Sequence, residues 1–191
     1  MSQNANTDQQ ARTVTAVDHG KLDLKSLTLY AILLAAGFVL NLTVSKFFSG
    51  LTGGFLSPEF IIAAFCLEIL AIKPNLGQAA VIGLLAGVVI QITASVKGPD
   101  LIAEPVAAVV MSALVSAFGN SKAKGVLPLV GTFVVTFISG LIYAVIFSFL
   151  IMKNPAFVGV MAPVVVATGV ANAVIVSALY LPIKKALKLN D

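Results

Sequence analysis

The chain has no tryptophan, one cysteine, one histidine and only 10% charged residues, and each scarcity removes a class of function. Cys66 alone excludes an intrachain disulfide, and within an apolar run it reads as packing. His19 lies in a polar leading segment, and no H-E-x-x-H, paired cysteines or G-x-S-x-G occurs, so a zinc or serine-hydrolase enzyme is not expected. No G-x-x-x-x-G-K-S/T loop is present, which leaves the chain no P-loop ATPase of its own. No cofactor attachment motif is visible, and no cofactor is expected. The net charge of +4 raises the question of nucleic acid, but the lysines flank apolar spans and no aromatic residues interleave them as a binding surface. Topology explains that charge better than nucleic-acid binding does.

What fills the chain instead is apolar sequence. Hydrophobic residues make up 59% of it and mean hydropathy is +1.03, so the usual contrast of polar surface and apolar core is missing. Six apolar stretches with short polar breaks run from Leu27 to Leu181. The runs Leu27–Leu42, Val126–Met152 and Met161–Leu181 are long enough to cross about 30 Å of hydrocarbon at about 1.5 Å per helical residue. The expected fold is an all-α integral membrane protein, a bundle of six transmembrane helices at 27–46, 58–73, 77–96, 104–119, 125–152 and 159–182. Lys73-Pro74-Asn75, Lys97-Gly98-Pro99-Asp100 and Gly119-Asn120-Ser121 supply the turn chemistry between spans. Helices 2 and 4 read as short crossings, which would thin the bilayer and open a cavity beneath the loops above them.

Residues 1–24 form an expected disordered polar tail, and residues 25–191 one transmembrane substrate-binding domain. The tail lacks the charged and short apolar regions of a signal peptide, so the first helix is expected to stay in the mature protein. Counted on alternate sides, Arg12, Lys21, Lys25, Lys73, Lys122, Lys124, Lys184, Lys185 and Lys188 fall together, against Lys46, Lys97 and Lys153. That split places both termini in the cytoplasm. Small-residue stripes (Ala79, Gly83, Gly87 in helix 3; Gly169, Ala173, Ser177 in helix 6) predict close helix contacts inside the bundle. The stripe Ala31, Ala35 in helix 1 suits either internal packing or another subunit.

Polar side chains inside spans are costly in lipid, so they mark where chemistry can sit. With this orientation Asn41, Glu59, Gln91, Lys97, Asp100 and Glu104 fall in the outer half or at its mouth, and Asn172 lies near the middle of helix 6. Each has a second reading. Ser57-Pro58-Glu59 has the form of a helix start with Ser57 as N-cap, and Glu104-Pro105 that of another. Lys97 and Asp100 also suit a solvated loop, and Gln91 and Asn172 suit bonds across helices. Glu68, a turn and a half from Lys73, reads as snorkelling to the cytoplasmic face, and it is the one credible buried carboxylate for a proton relay. Gly50, Gly53 and Gly54 make the first outer loop either a mobile lid or a flexible turn. Phe47, Phe48, Phe55 and Phe60 beside it suit a flat apolar ligand or an interfacial anchor.

Six helices in about 190 residues, the Ala31/Ala35 stripe, a glycine-rich first outer loop and no ATPase motif resemble the substrate-binding S component of energy-coupling factor (ECF) transporters. Three stretches, LSPEFIIAAFCLEILAIKPNLGQAAVIGLLAGVVIQITAS, DLIAEPVAAVVMSALV and VANAVIVSALYLPI, are most similar to its tryptophan-transporter family. The resemblance covers all six helices. It implies a multi-pass protein of the bacterial plasma membrane, with a transmembrane T subunit and two ABC ATPases as partners and Ala31 and Ala35 on the T-facing side. It implies a small organic substrate, tryptophan or a related aromatic compound, bound from outside. An amino-acid ligand would need an acid for its ammonium, Glu59 or Glu104, and donors for its carboxylate among Lys97, Gln91 and Asn172, with Asn41 nearby. A vitamin-specific S component and a self-sufficient secondary carrier are the alternatives.

Overall fold

The computed structural model describes residues 22–119 and 121–186, and within them every regular element is helical. Six helices follow one another: α1 (Leu24–Leu51), α2 (Phe60–Ile72), α3 (Leu76–Thr93), α4 (Asp100–Phe118), α5 (Lys122–Ile151) and α6 (Phe157–Ala186). Five are long and apolar enough to cross a membrane, which makes this a multi-pass membrane protein. The sixth, α2, has 13 residues, about 20 Å of helix, and does not match the thickness of a bilayer. Most of the 1–24 tail, with Arg12, His19 and Lys21, and Lys188 near the other end lie outside the described residues.

α2 is the hub of the bundle. Every residue from Ile61 to Ala71 is buried, and α2 touches all five other helices. Its sequence, FIIAAFCLEILAI, is apolar all round, as a helix with neighbours on every side requires. The long helices surround it, with α3 packed most extensively on α4 and α5 on α6.

Small residues set those contacts, as the stripes predict. A Cβ on Gly83 would meet the Glu104 carbonyl oxygen and lie 2.7 Å from the Ala108 Cβ, and one on Gly87 would lie 2.7 Å from the Asp100 oxygen. A Cβ on Gly169 would press on the Phe133 ring at 3.2 Å. On α1 the close approach is at Gly37, where an added Cβ would sit 2.8 Å from the Phe60 carbonyl oxygen. Ala31 and Ala35 are both exposed on the outside of the bundle.

Several boundaries move for identifiable reasons. α1 begins at Leu24, because Asp23 caps it by accepting the Ser26 N–H at 2.8 Å. That bond also holds the Asp23 carboxyl below its ordinary value. α1 continues to Leu51 rather than 46, passing through a π-helical segment at Asn41–Ser45, so Gly50 is helical and the loop keeps only Gly53 and Gly54, both at positive φ. α4 starts at Asp100, which places Glu104-Pro105 inside the helix rather than at its start. With 19 residues α4 is a full-length span, not a short one. Lys73 ends α2 in the left-handed conformation, and Asn75 and Gln78 form a capping box that opens α3.

Glu68 corrects two expectations. It does not snorkel: it is 0% exposed within α2, and neither carboxyl oxygen has a hydrogen-bond partner. Nor is it alone, because Asp100 (8% exposed) and Glu104 (2%) are buried as well.

Candidate functional site

In the half of the bundle away from both Leu24 and Ala186, a cavity of about 330 Å³ lies between α1, the start of α2, the end of α3, α4, α5 and α6. Three carboxylates line it, Glu59, Asp100 and Glu104, together with one amine, Lys46. Ile62, Ile90, Val164, Val165 and Met161 supply apolar wall, and Tyr143 is the aromatic side chain in the lining. Polar and apolar side chains share the lining, and a cavity this size suits a ligand no larger than an amino acid or a compact heterocycle.

The wall around Glu59 is built by two asparagines from other helices. Ser57 does not cap α2, and Glu59, in the capping position, makes no capping bond with its own side chain. Instead Asn172 Oδ1 on α6 accepts the Glu59 N–H at 2.9 Å, and Asn41 Oδ1 on α1 accepts the Phe60 N–H at 2.7 Å. Asn41 then donates through Nδ2 to Glu59 Oε2 at 2.8 Å. The orphan donors at the start of α2 are thus satisfied from two neighbours, and the same bonds fix the Glu59 carboxylate at the cavity. The π-helical segment that carries Asn41 and Ser45 lies directly on the lining, a position such segments often occupy at functional sites.

Glu104 lies deeper. Ser139 Oγ on α5 donates to its Oε1 at 2.8 Å, while Oε2 is buried with no partner. Asp100, one helical turn nearer the mouth, accepts from Gln91 Nε2 at 3.4 Å. Lys46 is exposed at the rim. It shares its helix with Asn41, the partner of the Glu59 carboxylate. The cavity therefore has a mouth with both signs of charge and a deep end with one unpartnered acceptor. Among the described residues no group of three Asp, Glu, His or Cys side chains is close enough to hold a metal ion.

Of the residues singled out in the sequence, the structure brings Asn41, Glu59, Asp100 and Glu104 together on the cavity. Asn172 is fully buried behind the wall, where its Nδ2 also donates to Thr136 Oγ1 at 3.4 Å. Gln91 closes the α3–α4 loop by accepting the Gly98 N–H at 2.9 Å, and its carbonyl oxygen accepts from the Lys97 ammonium. Lys97 itself is exposed and away from the lining. Gln91 and Asn172 thus bond across elements, as one of their two readings holds. Phe48, Phe55 and Phe60 border a separate, apolar groove of about 930 Å³ against α6, and Phe47 borders neither space.

Lys46, Thr136, Ser139 and Tyr143 are lining residues that sequence reasoning passed over. For α5 a signal exists: Thr132, Thr136, Ser139 and Tyr143 recur at three- and four-residue spacing and put polar groups on one face of an otherwise apolar span. Lys46 offers no such signal, because a lysine near the end of a span reads as an interfacial anchor.

No curated protein and no solved structure matches the chain. The family described as "Tryptophan transporter TrpP" does match, over residues 23–188, a stretch that takes in all six helices and every residue lining the cavity. The chain belongs to the TrpP tryptophan-transporter family.

Proposed function

We propose that the chain is the substrate-binding S component of an ECF-type importer, that it takes tryptophan or a similar aromatic amino acid, and that it does not itself hydrolyse ATP. The observation that carries this reading is the mouth of the cavity, where Glu59 and Lys46 offer an acid for an ammonium and an amine for a carboxylate within one small space. Behind them the apolar wall and Tyr143 accept a ring. The excess of positive charge at the opposite end favours cytoplasmic termini, so the cavity faces outward. The exposed Ala31 and Ala35 support docking of α1 on a T subunit, which in turn engages two ABC ATPases. Residues 25–191 act as one substrate-binding domain in this reading.

The test is binding to the purified chain in detergent without partners, with tryptophan compared against a panel of vitamins by calorimetry and by ligand fluorescence. The chain has no tryptophan, so the indole signal of the ligand stands alone. Saturable tryptophan binding supports the reading, and Glu104→Ala should weaken it more than Asp100→Ala, because Asp100 stands at the loop end of α4. Binding of a vitamin instead would keep the S-component role and discard the substrate.

A second reading has one observation in its favour. Glu68, Asp100 and Glu104 give the bundle three buried carboxylates, the raw material of a proton-driven carrier. Uptake by the chain alone, abolished by a protonophore, would establish that reading over the ECF one.

A further inference from the structure

We propose that Glu104 reads a ring N–H of the ligand, and so selects indoles over aromatic amino acids that lack this donor. The inference rests on the aromatic amino-acid reading above and assigns a role within the same cavity. Glu104 Oε2 is buried with no hydrogen-bond partner, while Oε1 is already engaged by Ser139. A carboxyl oxygen in that state is costly to keep and is satisfied when a bound molecule brings a donor to it.

Which donor arrives there follows from depth. Lys46 is at the exposed rim, on the helix whose Asn41 bonds the Glu59 carboxylate. The ammonium and carboxylate of an α-amino acid sit on one carbon, so a carboxylate held by Lys46 keeps the ammonium at the mouth, beside Glu59. The side chain then points inward past Tyr143 and Ile62, which brings an edge of its ring to Glu104. Among aromatic amino-acid side chains an indole carries an N–H on the lateral edge of its five-membered ring, which can face Glu104, and a phenyl ring carries none. A site built around such a bond rejects the analogue that lacks the donor, because its own polar group is left unpaired.

The experiment measures binding of tryptophan, of 3-benzothienylalanine (the near-isosteric analogue with sulfur in place of the ring N–H) and of indole-3-propionate (which lacks the ammonium), to the full chain and to Glu104→Ala. The expected result is that the full chain prefers tryptophan over benzothienylalanine by about 10- to 100-fold, the range for leaving a buried polar group without its partner. In Glu104→Ala that preference should fall to about 1, while the preference for tryptophan over indole-3-propionate persists. Equal binding of tryptophan and benzothienylalanine by the full chain overturns the inference and leaves the amino-acid reading standing. If Glu104→Ala instead erases the ammonium preference, Glu104 holds the ammonium and the inference fails. Absence of tryptophan binding removes both readings. Should Glu104→Ala not fold, Glu104→Leu, which fills the site without an acceptor, is compared in its place, and the full-chain ligand series decides alone if neither folds.

Discussion

At the residue scale, the site depends on side chains that never touch the cavity. Asn172 is fully buried, and its Oδ1 is the acceptor for the Glu59 N–H at the start of a helix enclosed by its neighbours. In Asn172→Ala that N–H loses its acceptor in a region without water, which costs about 1–3 kcal/mol. The expected outcome is a lower thermal unfolding temperature in detergent together with weaker ligand binding, since the same bond positions the Glu59 carboxylate. Unchanged stability would mean that the donor finds another acceptor. Asn41, Asn172 and Glu59 were legible as candidates because each is a polar residue in or beside an apolar span. Their division of labour was not legible, because it depends on three helices meeting at one point. Lys97 shows the converse: its charge suggested a ligand partner, but the short α3–α4 loop turns it onto the Gln91 carbonyl.

At the scale of elements, local sequence chemistry and tertiary contact compete, and the outcome differs from place to place. Asn75 and Gln78 open α3 with a capping box that the Lys73-Pro74-Asn75 break foreshadows. α4 behaves otherwise, because Pro105, a plausible first helical residue, lies a turn and a half inside it and packs against α3 at Gly83. The glycines make this competition testable. By helix propensity, glycine to alanine in a helix interior gains about 1 kcal/mol. Gly50 in α1 has open space around it, so Gly50→Ala should be neutral or stabilising. At Gly83 the same methyl would lie 2.7 Å from the Pro105 Cα and the Ala108 Cβ, and overpacking of this kind costs about 1–3 kcal/mol. Gly83→Ala should therefore unfold at lower temperature than the parent while Gly50→Ala does not. Its effect should reach ligand binding, because the displaced segment carries Asp100 and Glu104.

For the whole molecule, six apolar runs predicted six transmembrane helices; the described residues form six helices, of which five are long and apolar enough to cross, because in lipid a helix lets an apolar run satisfy its own backbone. The central place of α2 was not legible, since burial on all sides and exposure to lipid demand the same apolar residues. This ambiguity is why the face formed by Ala31 and Ala35 matters. In water an exposed alanine stripe carries little information, whereas in a bilayer small residues aligned on an outer face let another helix approach closely. Within the bundle α1 makes its own close approach through Gly37, so Ala31 and Ala35 are left free for a partner. Leucine at both positions should then leave tryptophan binding by the isolated chain unchanged and abolish uptake in cells that also express the T subunit and ATPases. The comparison has three readable outcomes. Loss of uptake with intact binding places the partner on α1. Loss of both assigns the stripe to the bundle's own packing. Retention of both moves the docking face to another helix, or makes the chain a carrier that needs no partner, and a protonophore then separates those two.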